Sequence, residues 1–188
     1  LNAQNTSIIN NIAGDSGGGA ALVGLGALFL NNSSIAGNQA PDGGGVVNQG
    51  SSANAFKIAN TLIGDNSLAL LSMGQNPDCL GQIRSLGFNL VQTLSGACSF
   101  TNAKGDKIPA NSGLPVSNPL LDPLTLACDT LNAPTSCALP ISSGSAMIDG
   151  GNPAVPNGVG NHCLPADPLG TARPKGHCDI GAFEVPNL

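Results

Sequence analysis

One seven-residue pattern constrains this chain more than any other feature. Asn5-Thr6-Ser7-Ile8-Ile9-Asn10-Asn11 returns as Asn32-Ser33-Ser34-Ile35-Ala36-Gly37-Asn38, and again as Asn60-Thr61-Leu62-Ile63-Gly64-Asp65-Asn66. Glycine triplets, Gly17-Gly18-Gly19 and Gly43-Gly44-Gly45, recur at nearly the same interval. A period of this size is the signature of a solenoid, in which each repeat buries its apolar side only when the next one stacks on it. The apolar alternations inside each copy are short and bounded by Asn, Gly and Asp, which reads as strands and corners. They are too short for stable helices. Glycine turns corners at positive φ without steric cost, and Asn tolerates the left-handed region and can stack in ladders.

The expected fold is therefore all-β, a parallel solenoid whose regular coils occupy residues 1–70. After Asn66 the repeat dissolves. Leu68 to Met73 is an apolar run of ambiguous type. Ser85-Leu86-Gly87-Phe88-Asn89-Leu90-Val91 alternates like a strand, and Pro109, Pro115, Pro119, Pro123, Pro134 and Pro140 follow. Proline removes ladder donors, so residues 71–188 read as degenerate coils and an irregular cap over the last open coil, continuous with the first part.

Charge narrows the function classes. Only 9% of the chain is charged and the formal net charge is −5. The six cations, Lys57, Arg84, Lys104, Lys107, Arg173 and Lys175, form no run, which argues against nucleic-acid binding through phosphates. The apolar stretch Ala20 to Leu30 is too short to span a bilayer. No leader-like segment opens the chain, so export would require one upstream.

Six cysteines fall into three sequential groups, Cys79 with Cys98, Cys128 with Cys137, and Cys163 with Cys178. Fifteen connectivities are possible for six cysteines. Local pairing into three disulfides is the preferred reading, with metal ligation or free thiols as alternatives.

Several blocks resemble a known family. Asp78-Cys79-Leu80-Gly81, Ser85-Leu86-Gly87-Phe88-Asn89-Leu90 and Gly96-Ala97-Cys98-Ser99-Phe100 resemble the segment after the repeats in secreted bacterial β-helix proteins of the choice-of-anchor type. Asn118-Pro119-Leu120-Leu121-Asp122-Pro123-Leu124, Ser145-Ala146-Met147-Ile148-Asp149-Gly150-Gly151-Asn152-Pro153 and the run from Arg173 to Glu184 resemble that family's later blocks. The resemblance implies a right-handed parallel β-helix of pectate-lyase-like architecture, export, and attachment at the cell surface. It implies no shared catalytic activity. Where the family carries an arginine before the Arg-Pro step, this chain has Leu169.

A polysaccharide lyase on such a fold needs clustered carboxylates for Ca²⁺ and a basic residue, and a glycosidase needs paired carboxylates. The carboxylates here are scattered. Asp15, Asp42 and Asp65 recur at intervals that would let them stack at one corner as a weak calcium ladder; as solvated turn formers they need no ligand. His162-Cys163 and His177-Cys178 form the sharpest metal constellation, set against a Cys163–Cys178 disulfide. Arg173 lies near Asp179 and Glu184 and is expected to hold one carboxylate bidentately, locking the cap.

The reading that follows is a non-catalytic extracellular or cell-surface structural or adhesive solenoid, with a fibre subunit among its forms. The alternative is a β-helix that binds or cleaves polysaccharide. The expected partners are other copies or cell-envelope polysaccharide. Because Leu1 starts in mid-pattern, the first coil is expected to present open strand edges, met by upstream coils, another protein or head-to-tail copies.

Overall fold

In the computed structural model the chain is all-β, built on parallel strands in a curled sheet. The structure describes residues 1–50, 52, 55–69, 77–94, 97–109, 119, 127–129 and 136–186. The apolar run ending at Met73, the block from Asn118 to Leu124, Pro115, Pro123, Pro134 and the boundary at residue 70 lie wholly or mostly outside them. No helix occurs among the described residues, and so none is long and apolar enough to cross a membrane.

The strands follow the repeat. The first copy gives β1 (Asn2–Gln4) and β2 (Ser7–Ile9). The chain then makes β3 (Ala20–Gly24), β4 (Leu28–Asn31), β5 (Ser34–Ala36) and β6 (Gln39–Ala40). Next come β7 (Val46–Gly50), β8 (Phe56–Ala59), β9 (Leu62–Gly64) and β10 (Ser67–Leu68), and then β11 (Cys79–Ser85), β12 (Leu90–Val91) and β13 (Cys98–Thr101). All of these pair in parallel. The largest sheet runs β1-β4-β8-β11-β7-β3 with β13 beside β11; a second runs β12-β9-β5-β2, and β6 pairs with β10. Among the described residues, β14 (Ala127–Asp129) pairs antiparallel with β15 (Ser136–Ala138) as a separate two-stranded sheet.

Register converts the sequence repeat into columns of side chains. Ile8, Ile35, Ile63 and Val91 stand side by side on successive strands and point inward, as do Ala3, Leu30 and Ile58. With Leu22, Leu28, Val46, Phe56 and Ile83 they make one narrow core. Each fully buried Leu, Ile or Phe contributes about 1.5–3 kcal/mol, which lets a chain nearly free of aromatics fold.

Asparagine ladders hold the corners. Asn11 donates its side-chain N–H to Asn38 Oδ1 at 2.9 Å, Asn38 donates to Asn66 Oδ1 at 3.0 Å, and Asn66 donates to Asp78 Oδ1 at 2.9 Å. Each accepting oxygen also receives the backbone N–H of the donating residue. Asn works on every internal rung because its amide is both donor and acceptor. The last rung needs only acceptors, and there the chain has Asp. A second ladder ends the same way, with Asn89 donating to Asp106 Oδ1. Asn5, Asn32 and Asn60 take positive φ at the corner after the first strand of each repeat.

The glycine triplets have two duties. Gly17 and Gly43 carry positive φ, whereas their followers serve close approach. A Cβ on Gly19 would lie 2.6 Å from Gly45 O and 2.6 Å from Ile35 Cγ2.

Residues 138–186 lie along the flank of the coils. The outward column of the second sheet is Ser7, Ser34, Leu62 and Leu90. Leu62 and Leu90 pack with Ile141, Met147 and Ile180 in a second apolar cluster. Ser7 Oγ accepts the Leu139 N–H and Ser34 Oγ accepts the Ala182 N–H, both at 3.0 Å. The sequence reading placed this segment over the end of the stack. These residues instead cover a sheet face, because that face offers both apolar area and hydroxyl acceptors.

Candidate functional site

The outward column of the largest sheet is Asn2, Phe29, Lys57, Arg84 and Thr101, in direct register. Neighbouring strands lie about 4.8 Å apart, so Lys57 sits one strand from Phe29 and one from Arg84. Strand alternation puts these residues outside because Leu28 with Leu30, Phe56 with Ile58, and Ile83 are drawn into the core. Phe29 and Lys57 are half-buried and Arg84 is exposed.

A groove opens over this face. It holds about 430 Å³ and is lined by Asn2, Gln4, Phe29, Lys57 and Leu86 on one side and by Gly158 and Gly160 of the flanking segment on the other. The flanking wall is fastened to the corners: Asn60 donates to Asn161 O at 2.9 Å, Asn31 donates to His162 O at 2.9 Å, and Asn161 donates to Leu86 O at 2.6 Å. Phe29 and Leu86 provide apolar surface, the two amides provide paired donors and acceptors, and Lys57 provides one cation. None of the lining residues is acidic.

Buried ionic chemistry lies elsewhere, where the last residues meet the first coils. Arg173 Nη1 lies 2.8 Å from Glu184 Oε2, with both side chains buried. The expected bidentate pair does not form, because Nη2 instead donates to the carbonyls of Gly181 and Ala182, and at 3.4 Å to Asn5 Oδ1. Asp179 accepts the Asp149 and Val185 N–H groups, each at 2.7 Å. Asp167 Oδ2 accepts the Glu184 N–H at 3.1 Å. Burial pushes Glu184 up to about 7, despite the Asp179 N–H and the Arg173 charge that favour its ionised form. Asp78, at the end of its ladder, is likewise raised by burial to about 7. Glu184 Oε2 takes both the Asp179 N–H and the Arg173 guanidinium, while Glu184 Oε1 and Arg173 Nε are buried without a hydrogen-bond partner among the described residues. Asp78 accepts from Asn66 and Thr93 with both oxygens.

The cysteines pair as Cys79–Cys98, Cys128–Cys137 and Cys163–Cys178. Cys163 and Cys178 spend their sulfurs on each other, so the constellation with His162 and His177 loses its thiolate ligands. His177 is exposed and 3.4 Å from Asp149, while His162 lies half-buried against the coil corner. No group of three or more metal-ligating side chains occurs among the described residues. Register also separates the proposed calcium ladder. Asp65 falls in the column of Gly37, whereas Asp42 pairs with Ser16 at a different corner.

Sequence reasoning missed the groove. Phe29, Lys57 and Arg84 carry the same spacing as the asparagines that reveal the repeat, but their types differ from coil to coil. Aligning the copies by that spacing brings them into one column. No protein-family model, curated protein or solved structure matches this chain.

Proposed function

We propose that this chain is a right-handed parallel β-helix that serves at the cell surface or outside the cell as a non-catalytic structural or adhesive module. Parallel strands that return after about one repeat length need a crossover each time, and such crossovers are right-handed in about 98% of cases. Disulfides persist in oxidising compartments, which supports an extracellular setting.

The observation that carries an adhesive role is the Phe29–Lys57–Arg84 column beside a groove without carboxylates. An aromatic face, side-chain amides and adjacent cations together suit a carboxylated polysaccharide: the ring supports a sugar face, amides bond hydroxyls, and cations pair with carboxylates. A hydrolase would need an acid–base pair of carboxylates in the groove, and its lining has none.

The test is co-sedimentation with an insoluble polyuronate and with a neutral glucan, followed by product analysis with added Ca²⁺. Retention on the polyuronate alone, weakened by salt and without unsaturated or shortened products, is expected. Turnover, or equal retention on both, overturns the reading.

A further inference from the structure

Asn157 is the only asparagine in the sequence followed by glycine. It is exposed, and Gly158, at φ +70°, lines the groove. Asparagine is chemically labile, most of all where no side chain on the next residue hinders ring closure. In that reaction the Gly158 nitrogen bonds to Asn157 Cγ as the bond from Cγ to Nδ2 breaks. The Gly158 nitrogen loses its proton and ammonia leaves. Water then opens the five-membered imide to Asp or isoaspartate, so atoms balance with water as the sole co-reactant.

The nucleophile of this reaction is restrained. The Gly158 N–H donates to Cys163 O at 2.9 Å, and Asn157 Oδ1 accepts the Val159 N–H at 2.8 Å. Cys163 is fully buried and joined to Cys178, whose carbonyl accepts the Gly151 N–H at 2.8 Å. The acceptor that occupies the Gly158 N–H is thus positioned by a disulfide.

We propose that Asn157–Gly158 is a self-modifying site, gated by the Cys163–Cys178 disulfide. While the bridge is intact the Gly158 nitrogen is held and Asn157 persists. When an external thiol reduces the bridge to two Cys thiols and is itself oxidised to a disulfide, the turn relaxes and Asn157 converts to a carboxylate beside the groove wall. The new negative charge would adjoin Gly158, which lines the same groove as Lys57. That consequence rests on the proposed anion-binding role; the modification itself does not.

The experiment ages the intact chain and the Cys163→Ser/Cys178→Ser variant together at mildly alkaline pH, with peptide mass spectrometry read at residue 157. Loss of one ordinary hydrogen bond predicts deamidation about tenfold faster in the variant. Asn157→Gln in the variant should abolish the mass change at that peptide. Equal rates in the two chains overturn the proposal. If the variant fails to fold, hydrogen exchange of the Gly158 amide in the intact chain decides: slow exchange supports the gate, and exchange at the unprotected rate overturns it.

Discussion

Asn66 Nδ2 donates to Asp78 Oδ1 at 2.9 Å, and this contact ends the asparagine ladder that begins at Asn11. Asp78 Oδ2 accepts the Thr93 N–H at 2.7 Å. The replacement Asp78→Asn would turn an amide N–H₂ either toward Thr93 N–H or toward the Asn66 donors. At that pH Asp78 is protonated, yet both of its oxygens still carry a lone pair, whereas an amide N–H₂ accepts nothing, and a buried donor facing a donor costs about 1–3 kcal/mol. Urea unfolding at about pH 5 should show a loss of that size, with an unchanged m-value.

Stability of the native chain should fall as pH rises. Asp78 and Glu184 have ordinary values of 3.8 and 4.5 and are both raised to about 7 in the folded state. Their protonated forms are favoured by folding, so the linked stability is complete below the ordinary values, declines as pH rises toward about 7, and is flat above. The melting temperature should be higher at about pH 5 than at about pH 8, and the Asp78→Asn penalty should shrink over that interval as the wild type loses its advantage.

Breaking the buried pair should loosen the flanking segment. Arg173→Ala leaves Glu184 buried without its cation and deprives the Gly181 and Ala182 carbonyls of a donor. At about pH 8, where Glu184 is ionised in the wild type, such losses cost about 3–5 kcal/mol, and less at about pH 5, where it is neutral. Limited proteolysis should cut first between residues 160 and 186, before any cleavage in the coils.

Much of the fold was legible because one coil imposes its chemistry on the next. Asn11, Asn38 and Asn66 repeat since each rung must both donate and accept. Asp78 broke the pattern: it ends the ladder only 12 residues after Asn66, a spacing no repeat predicts. The flanking segment was legible as blocks but not in place, since the face it covers changes from Ser7 and Ser34 to Leu62 and Leu90. The groove was hidden because a column of Asn, Phe, Lys and Arg has no shared residue type.

Gly19 tests coil stacking separately from the ladders. Gly19→Ala introduces a methyl group 2.6 Å from the Gly45 carbonyl oxygen of the next coil. Backbone cannot retreat there without separating the strands, so overpacking should cost about 1–3 kcal/mol. A glycine-to-alanine change at Gly14, with nothing within 4 Å of its Cβ position, should be nearly silent in the same thermal melt.

The outward column carries the functional account, and charge reversal addresses it directly. Lys57→Glu/Arg84→Glu keeps the core intact, because neither side chain belongs to the buried clusters. Retention on polyuronate should then drop by about tenfold or more, since charged hydrogen bonds contribute about 1.5–3 kcal/mol each. The circular dichroism spectrum should be close to that of the wild type, and the variant should still unfold in one cooperative transition. A folded double variant that still binds polyuronate with wild-type affinity would contradict the assignment of this face as the adhesive surface.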